Sequence, residues 1–364
     1  WTGYHESMGT WRNWTDGAVH DYSQRRLLSF VDWIDTKWKV DSTRVSVGGG
    51  SMGGSGTTNL AVHHSDRIAW AAGSVGVHIP DSSPQFTSSY RHCYGEVPWQ
   101  LPFAPRPGSR AARLADVAAG VSAFNYFSNE WFVLKHPEID LPLVCFSNGK
   151  NDGQIGWKQA LRFWRALQKS RQPHVWKWGM GGHGEGLRLP GEGAKSRRFV
   201  LDVRTNRTLP AFTRCSLDGN PGTAKQKPRA QYEKEKAAAR AWSKEHPKQR
   251  RHADKFDGDQ AGMSNGWLYW HTDDKNIVDE PNRWSLVCAL ASGAPKAECT
   301  VDVTPRRLKR FKPAPGEQFT WTNTDVATGK VIARGSVTAD AHGLVTLEQV
   351  KVTKGKSRLE IRRK

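Results

Sequence analysis

The sequence lacks several patterns that would assign a function directly. It has no run of about 18 apolar residues, so we expect no membrane-spanning helix. It has no zinc-finger spacing and no RNA-binding aromatic signature, and nucleic acid is therefore not the expected partner. A signal peptide is also missing; the first residue is Trp rather than Met, which indicates processing or truncation.

Cysteine is scarce, with five residues and no CxxC pair. The stretch "CALASGAPKAEC" is compatible with a hairpin that joins Cys288 to Cys299, and Cys93 and Cys215 are candidates for a second bridge. Cys145 lies in the apolar run "LPLVCFS", where we expect a buried, unpaired thiol. This pattern is compatible with export, and we expect a secreted or periplasmic protein.

Basic residues are abundant: 54 Lys and Arg stand against 35 Asp and Glu, a formal charge of +19. Such a charge favours an anionic partner, and an acidic polysaccharide is one candidate. There are also 17 Trp. Indole rings stack on sugars or aromatic acyl groups, although most of these residues are expected to fill the core.

The order of predicted elements indicates the fold class. Residues 21–38 have the apolar spacing of an amphipathic helix. Continuous apolar runs at 67–77 and 141–149 are typical of strands buried on both faces of a parallel sheet, and 155–170 has a helical pattern. Strand alternating with helix predicts an α/β fold with a doubly wound, mostly parallel sheet.

Changes in composition divide the 364 residues into regions. We predict a catalytic domain at 1–220, in which 79–140 is an insertion that caps the sheet. Residues 221–260 are predicted as a charged linker or insertion, since eleven Lys and Arg stand against four Asp and Glu between 225 and 255. Short alternating runs predict a β-sandwich-like module at 261–364.

One short pattern points to chemistry. In "VSVGGGSMGGSG", Gly49, Ser51 and Gly53 match GxSxG between a predicted strand and a predicted helix. This context is that of a nucleophile elbow, where a serine lies on a strained turn and its neighbours two residues away must be small. The amide of Met52 would then face the developing oxyanion of an ester.

A serine nucleophile needs a base, and the base needs an acid that fixes its tautomer. Asp152 follows a predicted strand in "NGKNDGQIGW", and His183 follows the next one in "GMGGHGEG". The order Ser51, Asp152, His183 predicts a catalytic triad at the carboxyl edge of the sheet. Weaker candidates for the acid and the base are Asp81, Asp140, His174 and His78.

The stretches "VSVGGGSMGG", "GKNDGQIGW" and "GGHGEG" resemble the α/β-hydrolase superfamily, particularly secreted bacterial esterases near the polyhydroxybutyrate depolymerase and feruloyl or acetyl xylan esterase group. The resemblance covers about residues 20–200 and implies the roles given above for Ser51, Met52, Asp152 and His183. Members of that group have several strands before the elbow and a His-Gly loop that supplies a second oxyanion donor. Only 50 residues precede Ser51 here and no HGG occurs, so we expect the first strands to be lacking.

These features predict a serine carboxylic ester hydrolase that needs no metal or organic cofactor. Its expected substrates are small-molecule or polysaccharide esters, and Trp157, Tyr4 and His5 are candidates for substrate contact. A peptidase of the prolyl oligopeptidase type is one alternative. The other is a non-catalytic hydrolase scaffold that binds an acidic polysaccharide.

Overall fold

The computed structural model describes residues 2–187, 200, 202–249 and 251–364. Two short antiparallel strands, β1 (Tyr4–His5) and β2 (Val19–His20), come first and pair with each other. Helix α1 (Tyr22–Lys37) follows where the apolar spacing predicts a helix. Large apolar side chains of this helix, such as Phe30 and Trp33, remain exposed, so α1 lies at the surface.

A five-stranded sheet forms the centre of the first region. In spatial order its strands are β3 (Ser46–Gly50), β4 (Trp70–Ser74), β5 (Leu143–Gly149), β6 (His174–Gly179) and β8 (Gly262–Ser264). The first four are parallel, and β8 joins β6 in the antiparallel direction. Every residue of β5 is buried, as the continuous apolar run predicts.

Helices cover one face of this sheet. Helix α2 (Met52–His63) follows β3, and α7 (Trp157–Lys169) follows β5. The segment 79–140 contributes α3 (Thr87–Tyr94), α4 (Ala115–Ala118), α5 (Ala123–Tyr126) and α6 (Asn129–Lys135). Its aromatic side chains share a hydrophobic core with Phe146 and Trp176 of the sheet, so this segment is part of the helical layer.

The C-terminal region contains two antiparallel sheets. One has the order β10-β11-β16-β13-β14, with β9 beside β11, and the other has the order β15-β12-β7. The strands are β7 (Leu209–Thr213), β9 (Leu268–Trp270), β10 (Ile277–Glu280), β11 (Arg283–Leu290), β12 (Glu298–Arg306), β13 (Gln318–Asp325), β14 (Val331–Thr338), β15 (Leu347–Thr353) and β16 (Ser357–Arg363). Apolar side chains of both sheets share one core, which gives a sandwich-like module.

The same core continues onto the central sheet. Successive residues of a strand point to opposite faces. Val144 accordingly belongs to the core under the helices, whereas Leu143 and Cys145 belong to the core of the sandwich, together with Val175 of β6. The sandwich therefore covers the face of the parallel sheet that the helices leave open.

The predicted domain boundaries at 220 and 260 differ from the structure. Strand β7 lies in the predicted catalytic domain but pairs with β12 of the sandwich. Strand β8 lies in the predicted β module but pairs with β6 of the central sheet. The chain crosses between the two regions, because each region contains one strand from the sequence range predicted for the other. Composition cannot reveal such an exchange.

The charged segment 221–260, predicted as a charged linker or insertion, has the character of an insertion. It contains helix α8 (Arg229–Glu245), and Gln226 forms a β-bridge with Phe256 that closes the base of the excursion. Arg165 of α7 donates a hydrogen bond to the carbonyl of Gly222 at 2.9 Å. The segment thus packs against the first region, although none of the residues in α8 is fully buried.

Two consecutive arginines at the end of β12 connect the sandwich to the first region. The Arg306 guanidinium forms an ion pair with Asp140 at 2.6 Å and donates to four main-chain carbonyls. Arg307 also donates to four carbonyls, and burial lowers the pKa of its guanidinium to about 10. Both side chains are buried, so the interface contains fixed charges inside a network of carbonyl acceptors.

The expected disulfides are absent, since all five cysteines are free thiols. Cys288 lies in β11 and Cys299 in β12, and these strands belong to different sheets rather than to one hairpin. Cys145 is buried, as expected, and burial raises the pKa of its thiol. Over the described ranges, no helix has the length and apolar character needed to cross a bilayer.

Candidate active site

Ser51 lies on the turn between β3 and α2. Its backbone has φ 57° and ψ −121°, a conformation that residues with a side chain rarely adopt. A Cβ on Gly49 would lie 2.6 Å from the backbone carbon of Gly53, and a Cβ on Gly54 would lie 2.3 Å from the carbonyl oxygen of Ser74. A Cβ on Gly53 would meet nothing within 4 Å. Close packing therefore requires Gly49 and also Gly54, which GxSxG does not include.

The three side chains predicted to meet are in direct contact. His183 Nε2 lies 2.5 Å from Ser51 Oγ, and His183 Nδ1 lies 2.9 Å from Asp152 Oδ2. The second carboxylate oxygen of Asp152 accepts hydrogen bonds from the amides of Gln154 and Ile155, at 3.0 and 3.1 Å. With Asp152 accepting at Nδ1, the neutral imidazole presents its free Nε2 to the serine hydroxyl.

Parallel strands bring these loops together, because β3, β5 and β6 all end at the same edge of the sheet. The loops after β5 and β6 also touch directly. The amide of Lys150 donates to Gly179 O at 2.8 Å, and Asn151 Nδ2 donates to Met180 O at 2.8 Å. A Cβ on Gly149 would lie 2.1 Å from Gly181 O, so this position requires glycine.

Glu185 fixes the histidine loop and was missed by the sequence analysis. Its carboxylate accepts from the Gly181 amide at 3.2 Å and pairs with Lys177 Nζ at 3.0 Å. Its carbonyl accepts from the Ser147 hydroxyl at 3.0 Å. Both sides of the His183 turn are therefore held to strands β5 and β6. The signal in the sequence was an acidic residue two positions after the histidine. Its role could not be inferred without the structure of the turn.

Met52 is the first residue of α2, next to Ser51. The first four amides of a helix have no partner within the helix, and the N-terminus attracts negative charge. The Met52 amide is thus a donor without a partner in its own helix, next to the serine hydroxyl. The side chain of Met52 is 76% exposed, so the main chain, not the thioether, is the polar group at this position.

A largely apolar pocket of about 310 Å³ lies beside the elbow. We call it the apolar pocket; its wall includes Gly3, Tyr4, Met52, Val77, Tyr90 and Ile155. Burial raises the pKa of Tyr90, so this phenol stays neutral in the wall. Tyr4, a candidate for substrate contact, therefore borders this pocket, and its ring lies 4.9 Å from that of Tyr22.

The structure places His5 and Trp157 differently from the prediction. The His5 ring is buried away from the pocket: Nε2 bonds to Asp16 O at 2.8 Å and Nδ1 accepts from Ser7 N at 3.1 Å. His5 instead shapes the turn that it begins. Trp157 is 1% exposed and stacks on Trp176 with ring centroids 5.2 Å apart, so it belongs to the core rather than to the apolar pocket.

The weaker candidates for the acid and the base lie outside the Ser51 contacts. Asp140 pairs with the buried Arg306, and Asp81 is exposed and accepts from its neighbour Ser82. Burial lowers the pKa of His78 to about 3 and the pKa of His174 to about 4, which makes both neutral core residues. Across the described residues, no three His, Cys, Asp or Glu side chains are grouped to hold a metal ion.

No family model matches the chain, and no curated protein matches it. Among solved structures, it is similar to an S-formylglutathione hydrolase from Agrobacterium tumefaciens, with 16% identity and a TM-score of 0.33 over 44% of this chain and 50% of that chain. It is also similar to an acylaminoacyl peptidase from Pyrococcus horikoshii, with 15% identity and a TM-score of 0.33 over 45% of this chain and 24% of that chain.

A third similar structure is an acetyl ester-xyloside bifunctional hydrolase from Caldicellulosiruptor lactoaceticus. It has 18% identity and a TM-score of 0.31 over 45% of this chain and 56% of that chain. The chain thus spans between 24% and 56% of the length of these three proteins. No TM-score among the three exceeds 0.33.

Proposed function

We propose that the protein is a serine carboxylic ester hydrolase. The observation that supports this most directly is the continuous chain of contacts from Ser51 Oγ to His183 and Asp152, built on a serine in strained backbone geometry. A hydroxyl is a poor nucleophile at neutral pH, and this arrangement supplies the base that activates it. The α/β-hydrolase resemblance of the sequence agrees with the proposal.

In the proposed reaction, Ser51 Oγ attacks the ester carbonyl while His183 Nε2 takes its proton. Asp152 stabilises the imidazolium that forms, and the Met52 amide donates a hydrogen bond to the oxyanion. His183 then returns the proton to the leaving alcohol. A water molecule, activated by the same histidine, attacks the acyl-enzyme and releases the acid.

The apolar pocket supports a substrate with a small acyl or aromatic acyl group. It borders Met52, whose amide would face the carbonyl oxygen, so an acyl chain attached to that carbonyl can enter it. Its volume of about 310 Å³ is at the lower end for small-molecule sites. The alcohol part would then leave toward solvent, which is compatible with a carbohydrate ester.

The test combines active-site labelling with a substrate panel. We expect a fluorophosphonate probe to label the protein and to leave Ser51→Ala unlabelled. Ser29→Ala, an exposed serine on α1, is the matched control and should label normally. Short p-nitrophenyl esters and methyl ferulate should be hydrolysed faster than aminoacyl-proline amides. Folded protein that resists labelling would contradict the proposal, and faster amide turnover would favour a peptidase.

A further inference from the structure

A second cleft lies on the other side of the Asp152 loop from the apolar pocket. It has a volume of about 860 Å³, and residues 151–153 form part of its wall. A narrow strip separates the two openings: the Ser83 hydroxyl and the Gln85 amide donate to Gln154 O, at 3.0 and 3.2 Å. The segments 82–86 and 151–156 therefore border both openings.

Basic side chains dominate the far wall of this cleft. We call it the basic cleft; besides the buried Lys150, its cationic residues are Lys158, Lys236, Arg240, Arg251 and Lys255. Lys236 lies 3.4 Å from Glu233. Within the described ranges, no ion pair joins Lys158, Arg240, Arg251 or Lys255 to a carboxylate. The acid in the wall, Asp152, is already bonded to His183, so the cleft has a surplus of unneutralised positive charge.

A buried ion pair holds this wall in place. Lys150 Nζ, whose side chain has no exposed surface, pairs with Asp254 at 2.7 Å and donates to the carbonyls of Asp257 and Asp259, at 2.9 and 3.0 Å. Lys150 stands two residues before Asp152. The link fixes the segment after α8 to the loop that holds the proposed catalytic acid, so the cations keep their position relative to Ser51.

Aromatic rings alternate with these cations. The half-buried rings of Tyr232 and Phe256 line the cleft, and the buried Trp157 borders it. The Trp157 indole N–H has no acceptor in the described part of the chain, although the residue is 1% exposed. The half-buried rings of Tyr232 and Phe256 offer stacking faces to sugars. The Trp157 ring is buried, but its unpaired indole donor costs stability unless a ligand or a water accepts from it.

We propose that the basic cleft binds an anionic glycan, the carboxylate- or sulfate-bearing part of a polysaccharide whose ester reaches Ser51. The proposal rests on the proposed function in one respect only, the presence of the ester. A charged sugar chain matches this cleft better than a small anion does. The cations are spaced apart, the rings can stack on sugars, and the cleft has a fixed position beside the Asp152 loop. A small anion needs one compact set of donors. Residues 79–86 and 151–156 would lie under the chain as it crosses between the two openings.

The binding test uses the full chain with Ser51→Ala, so that no substrate is consumed. We expect calorimetry to detect an oligogalacturonate but not a neutral xylo-oligosaccharide. Added to that background, Lys158→Glu with Arg240→Glu should weaken oligogalacturonate binding about tenfold or more. Lys330→Glu with Arg334→Glu, two exposed cations of the sandwich with the same change in charge, should leave binding unchanged.

Three outcomes would overturn the proposal. Equal losses in both charge-reversed proteins would show only a general effect of net charge. Equal binding of the neutral oligosaccharide would remove the role of the cations. Tighter binding of a single-stranded oligonucleotide than of oligogalacturonate would identify a nucleic-acid site, since such sites also combine basic and aromatic residues.

An activity test separates this inference from the proposed function. With Ser51 restored, the Lys158→Glu and Arg240→Glu protein should show a raised KM for acetylated polygalacturonate and an unchanged KM for p-nitrophenyl acetate. If the native protein hydrolyses neither ester but Ser51→Ala still binds oligogalacturonate through the cleft, the proposed hydrolase fails and the glycan site stands. If small esters are hydrolysed and the cleft variant binds normally, the glycan site fails alone.

Discussion

The two faces of the central sheet are covered in different ways. Helices α2, α6 and α7 pack on one face through aromatic side chains such as Phe146 and Trp176. The other face packs on a β-sandwich, through smaller side chains such as Cys145 and Val175. At the border of the second interface lie buried guanidinium groups instead of further apolar contacts.

We infer from this difference that catalysis and stability depend on different parts of the molecule. The proposed catalytic groups all lie at the carboxyl edge of the sheet and contact one another, not the sandwich. At its border the sandwich also contacts the first region through Arg306 and Arg307, which bind carbonyls of residues outside the Ser51 contacts. We therefore expect changes at the edge to alter chemistry with little effect on stability, and changes at the sandwich interface to do the reverse.

The largest expected effect is on chemistry alone. Asp152→Asn keeps the shape of the side chain but removes the charge that stabilises the imidazolium and sets its tautomer. We expect kcat on a small ester to fall about 10⁴-fold, with little change in the free energy of unfolding. Asp81→Asn alters the reserve acid, which is exposed and outside these contacts, and should retain normal kcat. The opposite ranking of the two variants would transfer the acid role to Asp81.

The second expected effect is on stability alone. Arg306→Ala leaves the Asp140 carboxylate and several carbonyls without their buried donor, and we expect a loss of about 3 kcal/mol in the free energy of unfolding. Denaturant titration measures this loss. Arg310→Ala, at an exposed position nearby, should change stability by less than about 0.5 kcal/mol. Reduced labelling of folded Arg306→Ala protein would show that the two faces are coupled.

The third prediction concerns the elbow, where packing and chemistry meet. Gly54→Ala places a Cβ against Ser74 O, so α2 or β4 must shift, and we expect a loss of about 2 kcal/mol in the free energy of unfolding together with slower labelling of Ser51. Gly53→Ala meets no atom within 4 Å and should be as stable as the native protein. Equal losses in both variants would indicate a backbone effect rather than the contact with Ser74.

The sequence was informative where geometry follows from strand order. Ser51, Asp152 and His183 each follow a predicted strand, and parallel strands end at one edge, so their proximity could be anticipated. Their catalytic roles stay a prediction. The exchange of β7 and β8 between the regions could not be predicted, because a short strand has the same local pattern whichever sheet it joins. The arginine contacts were equally hidden, since they depend on carbonyls more than 100 residues away.

The charged segment 221–260 is a second example of a feature whose contacts could not be predicted from the sequence. Its composition is typical of a solvated helix, and α8 is indeed exposed. A buried ion pair fixes it: Lys150 lies in the polar loop after β5, and its partner Asp254 lies among basic residues. Neither residue has a distinctive neighbour in the sequence. Buried ion pairs between distant segments are therefore the feature that sequence patterns reveal least.

The last expected effect is a pH dependence that originates on the helical face. His78 packs between Phe146 and Phe163, and burial lowers its pKa to about 3 from an ordinary value of 6.5. The folded protein keeps this ring neutral, while the unfolded chain takes up a proton below pH 6.5. Stability from this group is therefore complete above pH 6.5 and falls as the pH drops toward 3, by about 1.4 kcal/mol per pH unit at most.

Thermal or denaturant unfolding between pH 7 and pH 4 measures this slope. His78→Gln should unfold with a shallower pH dependence than the native protein, whatever its absolute stability, because the variant has lost the titrating ring. His342→Gln changes an exposed histidine of the sandwich and should keep the native slope. If instead the sandwich variant flattens the slope and His78→Gln does not, then the acid-sensitive part of the fold lies on the sandwich side, and the contrast between the two faces is reversed.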